Sequence, residues 1–486
     1  VSGPYATLAA VSDVDRSVPA PSDAPALSAD DLVRLTGGRL LVASDRPIRG
    51  AAVDSRLVRS GELFVALPGE RTDGHLYLAD AVERGAAALL VTRGVEDPAA
   101  FGDVTIVRVV DAVAALGAVA AGWRRRFDPL VVGITGSIAK TSTKEAIATV
   151  VGATRKTLKT EGNQNNEIGL PLALLRLGPE DEAAVLEMGM YVSGEIADLA
   201  AIAEPSIGVV TAVHPVHLSR IGSIEAIEQA KGELLEALPA HGTAVLNADD
   251  PIVTRMDRRT VARALRYGFD ETADVRAVDV ASAGTAGMRF RLVSPAGERD
   301  VTIPVLGRLS VHNAAAAAAV GLAASMDLAT IATALERGWG VPHRVELVRL
   351  RGVTVIDDSY NASPGSVVAA LELLEGLPGR RVAVLGEMLE LGDAHESGHR
   401  TVGEAAARIV ELLVVVGADA RGIVEGALEA GLDPSRIRHV AGVDEALDVL
   451  PPRLREGDVV LVKASRGIEL DRLVDGLRLE LGELPV

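Results

Sequence analysis

Short apolar runs alternate with amphipathic stretches along almost the whole chain, and this spacing predicts an α/β protein built from several sheets. From about residue 31 to 115 the runs GELFVAL, ALLVTR and VTIVRV read as strands, with a helix around AVERGAAA. They predict a small α/β domain. From 116 to 340, LVVGIT, AAVLEMG, SIGVVTAV and TAVLNA read as buried strands, separated by helical stretches such as SIEAIEQAKGELLEAL. A strand-rich insert follows (VRAVDV, MRFRLVS, ERDVTIPVL), then an Ala-rich helix expected from about 312 to 326. From 341 to 486, VTVIDDS, RVAVLGE, LLVVVGA and VVLVKAS alternate with helices. That pattern predicts a third domain, doubly wound and Rossmann-like. Residues 1–30 are acidic and rich in Pro, Ser and Ala, without a basic segment leading into an apolar one. They are expected to be a flexible tail and not a signal peptide.

Composition narrows the setting. A length of 486 residues is more than one core can organise. Hydrophobic residues make up 48% but aromatics only 2%, so the cores must be aliphatic. No apolar run is long enough to span a membrane, and a net charge of −18 argues against nucleic-acid or acidic-membrane partners. Cysteine is absent, which removes disulfide and thiolate-metal chemistry. A cytoplasmic monomer that acts on small molecules is expected.

The sharpest local signal is PLVVGITGSIAKTSTKE, residues 129–145. A β-branched run ends in a Gly/Ser turn, then Lys140, Thr141 and Ser142 open a helical segment. Such a turn offers backbone N–H groups and a helix dipole to a phosphate, Lys140 adds a point charge, and a hydroxyl can reach Mg²⁺. Gly136, Ser137, Lys140, Thr141 and Ser142 are therefore candidates to hold ATP. The usual P-loop pattern would put glycine at Ile134 and Ala139. If position 139 needs a left-handed backbone, the Ala139 Cβ costs roughly 1–2 kcal/mol. An ordinary strand–turn–helix remains the alternative reading.

Only six of the 49 basic residues are lysine: Lys140, Lys144, Lys156, Lys159, Lys231 and Lys463. Where arginine serves almost everywhere, a retained lysine marks a place for a compact or deprotonatable group. Lys140 and Lys144 fall in the phosphate-loop stretch. Glu187 ends one apolar run, and His214 and His217 follow another. Strand ends are where such sheets bind ligands, so Glu187 is a candidate Mg²⁺ ligand.

With these residues in place, the chain resembles the Mur ligases, ATP-dependent amide-forming enzymes, over nearly everything after residue 30. VDSRLVRSGELFVALPGERTDGH is similar to the family's UDP-substrate-binding domain, which implies that Ser55 and Arg56 contact substrate. GITGSIAKTSTKE resembles its phosphate loop, with Ala139 where glycine is usual. TEGNQNNEIGLPLALLRL implies that Asn163, Asn165 and Asn166 lie near substrate. EMGM and VHLSRIGSIEAIEQAKGEL imply Mg²⁺ ligands at Glu187 and His217 and a carbamylated Lys231. VLNADDP (Asn247, Asp250) and VHNAAAA (His312, Asn313) match nucleotide-side motifs. Arg344 in GVPHRVEL, with Asp358, Tyr360, Asn361 and Pro364 in DDSYNASP, matches hinge and ATP contacts. In VKASRGIELD, Lys463, Ser465 and Arg466 match substrate-side positions, with Ala464 in place of a usual glycine. The resemblance implies a central P-loop-type ATP-binding domain at 116–340 between the UDP-substrate domain and the C-terminal one. NQNNEIG and ELGDAHESGH favour the branch that joins D-alanyl-D-alanine to a UDP-N-acetylmuramoyl-tripeptide. A Mur-type ligase with other substrates and a catalytically weak nucleotide-binding scaffold are the alternatives.

Overall fold

The computed structural model describes residues 25–69, 72–214 and 223–484. The chain divides into two compact units, one running to Asp274 with Ala316–Met326 added, the other made of Val275–Ala315 and Asp327 onward.

The first unit holds two sheets. The smaller has the order Arg39–Val42, Thr105–Arg108, Ala88–Val91, Leu63–Val65, Ala51–Ala52. Its first strand is antiparallel and the rest are parallel. Leu27, within the stretch expected as tail, is buried and pairs with Ile48. Ser28 then caps helix Ala29–Thr36 through a reciprocal bond with Asp31. Helix Ala112–Arg124, capped by Asp111, leads to the larger sheet.

In that sheet six strands run parallel in the order Thr157–Lys159, Ala183–Glu187, Leu130–Thr135, Ile207–Val210, Thr243–Asn247, Arg263–Gly268. The central ones are buried on both faces, which is why they read as unbroken apolar runs. Chain order reverses around Leu130–Thr135: the next two strands lie on one side of it and the following three on the other. A ligand crevice is expected at the carboxyl ends beside this point.

The second unit begins with an antiparallel meander, Val275–Ser282, Met288–Ser294 and Gly297–Ile303. Its main sheet has the order Glu346–Leu350, Val353–Asp357, Asp458–Lys463, Arg380–Gly386, Leu412–Val416, Ile437–Val440. All neighbours but the first pair are parallel. Aliphatic cores lie against both faces, as a doubly wound sheet requires. The Ala-rich helix runs Arg308–Ala323, four residues earlier than expected at its start. Ala314 to Ala319 are all fully buried, so the run is close packing around a whole helix. Among the described residues no helix is long and apolar enough to cross a membrane.

Candidate active site

The phosphate-loop stretch folds as strand Leu130–Thr135, a tight loop, and helix Lys140–Val151. Gly136 has φ 154, and a Cβ there would lie 1.8 Å from Thr211 Oγ1. Only glycine fits. Ala139 occupies the left-handed region, φ 63 and ψ 2, so the strain that sequence raised as a condition is present. Lys140 Nζ donates to the Gly136 carbonyl at 2.7 Å, across the loop mouth. Ser137 N–H donates to the Ala212 carbonyl at 2.8 Å, and Ser137 Oγ accepts from His214 N–H at 2.9 Å. Thr141 and Ser142 stand half-buried in the first helical turn. Lys144, grouped by sequence with the loop, is instead fully buried within the helix. Its ammonium donates to the Thr160 carbonyl at 2.6 Å and meets Glu145 at 3.0 Å, a structural role.

Glu187 ends the neighbouring strand and is 3% exposed. Asn165 Nδ2 donates to its Oε1 at 2.9 Å, while its buried Oε2 has no hydrogen-bond partner among the described residues. A buried carboxylate oxygen left unpaired is costly, and a hard cation is the partner it suits. The Asn163–Asn166 turn holds itself together. Asn165 N–H donates to the Asn163 carbonyl at 2.7 Å, and Gly189 N–H to the Asn165 carbonyl at 2.7 Å. Asn166 Oδ1 accepts from Gly169 N–H at 2.9 Å, just ahead of helix Gly169–Leu174.

Lys231 lies on helix Ile224–Glu236 and is 3% exposed. The acidic residues nearest to it along its helix, Glu228 and Glu233, are engaged elsewhere. Glu228 pairs with Arg255, and Glu233 accepts from Gly194 and Ala197 N–H. Burial, with the charge of Lys140 added, pulls the Lys231 ammonium down to about 7. His217 lies outside the described residues.

In the small sheet, Ser55 and Arg56 form a short turn after strand Ala51–Ala52. Ser55 is buried, whereas Arg56 reaches into solvent and is held by Asp54 at 2.6 Å. Asn247 and Asp250 are both buried, and their side chains bond to backbone.

In the second unit, Val353–Asp357 leads into Asp358, Tyr360 and Asn361. Asp358 is bonded by Lys463 Nζ, which also donates to the Asn361 carbonyl at 2.8 Å. Burial raises the Asp358 carboxyl and Lys463 counteracts it. The Arg344 guanidinium stacks 4.2 Å above the Tyr360 ring. Ser465 Oγ accepts from Leu389 N–H at 2.9 Å, and Arg466 pairs with Asp471 at 2.7 Å. Helix Arg308–Ala323 carries His312 and Asn313, both buried. His343, Glu346 and Asp357 converge as a grouping that sequence did not single out. They are already tied together, with His343 Nδ1 2.8 Å from Asp357 Oδ2, and Arg478 on Glu346 at 3.1 Å.

A phosphate loop at the reversal point of a parallel sheet, with a buried carboxylate beside it and a doubly wound unit following, defines a nucleotide-using α/β enzyme. Family models match in the same order along the chain. They are the Mur ligase family catalytic domain over residues 47–124, the Mur ligase middle domain over 134–321, and the Mur ligase glutamate ligase domain over 343–466. The chain is 39% identical over 476 residues to the UDP-N-acetylmuramoyl-tripeptide–D-alanyl-D-alanine ligase of Mycobacterium tuberculosis, covering 90% of this chain and 93% of that one. It superposes on a crystal structure of MurF from Acinetobacter baumannii with TM-score 0.84 at 29% identity, covering 93% of this chain and 99% of that one. For MurF ligase from Thermotoga maritima in complex with ADP, the TM-score is 0.78 at 29% identity, over 89% and 98% of the two chains. The chain belongs to the Mur ligase family.

Proposed function

We propose that this chain joins D-alanyl-D-alanine to a UDP-N-acetylmuramoyl-tripeptide with conversion of ATP to ADP and phosphate, as a cytoplasmic monomer. The observation that carries the reading is the likeness, over nine-tenths of the chain, to ligases named for that reaction. A carboxylate and an ammonium do not condense near neutral pH, so the carboxylate must be activated. An oxygen of the tripeptide carboxylate attacks the γ-phosphorus, the bond to ADP breaks, and an acyl phosphate results. The dipeptide's neutral amine then attacks the acyl carbon and phosphate leaves, with a proton lost from nitrogen.

The protein's part is positioning and charge neutralisation. Lys140, with Gly136 and Ser137 of the phosphate loop, would hold the β- and γ-phosphates. Thr141 or Ser142 with Glu187 would hold one Mg²⁺, and Glu187, His217 and Lys231 a second. When bound, these ions offset the phosphate charge and polarise the transferring group. Glu187 fits that task, because its Oε2 is buried and unpaired among the described residues. Lys231 fits it only after reaction with CO₂, in which the neutral amine forms an N–C bond, a proton is released, and two carboxylate oxygens replace a cation. A lysine held near 7 supplies that neutral amine at working pH. Ser55 and Arg56 would hold the UDP portion, and Asn163, Asn165 and Asn166 the muramoyl peptide. Asn313, Arg344, Asp358 and Asn361 would contact ATP, and Lys463, Ser465 and Arg466 would line the substrate side of the second unit.

Phosphate release by the purified protein tests this. Turnover should require Mg²⁺, the UDP-muramoyl-tripeptide and D-alanyl-D-alanine together. Turnover with a different amino acid in place of the dipeptide would assign another Mur-type ligation. No turnover with any pair would leave a nucleotide-binding scaffold.

A further inference from the structure

Asn247 and Asp250 follow one another at the carboxyl end of strand Thr243–Asn247 and match nucleotide-side motifs. Their side chains point to a different use. Both are 6% exposed and engaged with the chain's own backbone. Asn247 Nδ2 donates to the Thr211 carbonyl at 2.7 Å, while its Oδ1 accepts from Asp249 N–H at 2.8 Å. Asp250 Oδ2 accepts from Val213 N–H at 2.8 Å, and its Oδ1 caps the next turn through Ile252 and Val253 N–H at 2.8 and 3.1 Å.

The segment they hold, Thr211–His214, leaves the strand beside the phosphate-loop strand, and its other edge is bonded to that loop. Thr211 Oγ1 donates to the Ile138 carbonyl at 2.6 Å. The Ala212 carbonyl accepts from Ser137 N–H at 2.8 Å, and His214 N–H donates to Ser137 Oγ at 2.9 Å. A continuous ladder therefore runs from Asn247 and Asp250, through Thr211–His214, into residues 136–138. Ala139 follows at once, in a backbone conformation that alanine disfavours. A strained residue keeps its conformation only when its surroundings impose it. Lys140, next in the chain, takes its direction from that conformation.

We propose that Asn247 and Asp250 are positioning residues, which through Thr211–His214 hold the phosphate loop in the strained form that alanine at 139 would otherwise leave. The inference rests on that loop binding ATP. Asp250→Asn keeps the side chain's size but sets an NH₂ against one of its N–H donors. It should weaken ATP binding and raise the ATP KM about tenfold. The muramoyl-peptide KM should stay within about twofold and kcat should fall far less than kcat/KM for ATP. Ala139→Gly relieves the strain, so in that background Asp250→Asn should cost only about two- to threefold. Thr211→Val, which removes the hydroxyl bonded to Ile138, should show the same pattern and serves if the Asp250 variant does not fold. Equal losses of ATP binding with and without Ala139→Gly, measured by calorimetry, would overturn the proposal. So would a matching loss of muramoyl-peptide affinity. The ATP reading fails separately, if Lys140→Ala binds ATP as tightly as the native chain.

Discussion

Lys231 in the first unit and Lys463 in the second are equally buried, each 3% exposed, and have opposite surroundings. Lys463 ends a strand with its ammonium on Asp358 and on the Asn361 carbonyl. Lys231 has no acidic partner among the described residues, and its nearest electrostatic influence is another cation, Lys140. Taking an ammonium out of water costs several kcal/mol unless a carboxylate and hydrogen bonds offset it. The second unit supplies that offset and the first withholds it. A buried lysine with its carboxylate is held as a cation. One without it has its ammonium pulled down to about 7 by burial and by Lys140.

The largest effect that can break this contrast is at Lys231. Lys231→Arg keeps a cation but cannot form a carbamate, so ligation should fall about 10³-fold or more. Lys231→Ala should be as inactive and be partly restored by short carboxylic acids. Bicarbonate should raise the melting temperature of the native protein and leave that of Lys231→Met unchanged. Full activity in the arginine variant would show that charge suffices there.

Lys463→Met comes next. It strands Asp358 in the interior, and breaking a buried pair costs about 3–5 kcal/mol. Adding Asp358→Asn removes the stranded charge and should recover part of that loss in denaturant unfolding. A double variant no more stable than Lys463→Met would mean that the pair is not coupled, and the contrast with Lys231 would lose its basis.

The scarcity of lysine made both residues visible in sequence, but not their difference. The partner that distinguishes Lys463 lies 105 positions away, and no local pattern reports a bond of that span. The strand Leu130–Thr135 and the helix opening at Lys140 were legible because an unbroken apolar run and a Gly/Ser turn are short-range signals. Lys144 was misplaced with the loop, since its depth in the helix depends on packing against Thr160. Asn166 Oδ1 accepts from Gly169 N–H, a bond to its own turn that the sequence pattern does not report. Asn247 and Asp250 stand out as a motif, but their bonds to Thr211 and Val213 span more than 35 positions, beyond any local pattern. Polar side chains at strand ends look alike in sequence whether they face a ligand or brace a neighbour.

A smaller test concerns how the second unit holds its carboxylates. His343 has φ 61, with its ring on Asp357, whose other oxygen accepts from Ser359. The Asp357 contact raises the imidazole above 6.5, against burial, with Asp471 and Glu346 adding to it. A raised folded value means the contribution is full below the unfolded value of 6.5 and fades as pH rises through the folded one. His343→Gln should therefore lower the melting temperature more at about pH 5.5 than at about pH 8.5. A loss independent of pH would make the contact neutral hydrogen bonding alone.

The smallest effect is expected at Ala464, immediately after Lys463, where the family usually has glycine. Unlike Ala139, it is not among the residues with positive φ, and it is fully buried, so its methyl packs without backbone strain. Ala464→Gly should leave ligation unchanged and cost roughly 0.5–1 kcal/mol of stability through backbone freedom and the lost methyl. The opposing residue explains the fit. A Cβ built on Gly386 would lie 2.7 Å from that of Ala464, so one of the two positions must lack a side chain. Gly386→Ala should consequently destabilise the second unit by about 1–3 kcal/mol. Ala464→Gly should recover part of this and not all, because Ile468 Cγ2 also stands 3.1 Å from the added carbon. If Ala464→Gly instead raised ligation severalfold, the alanine would be limiting the site. The two alanines that replace usual glycines would then be equivalent burdens, and not one strained residue and one packed one.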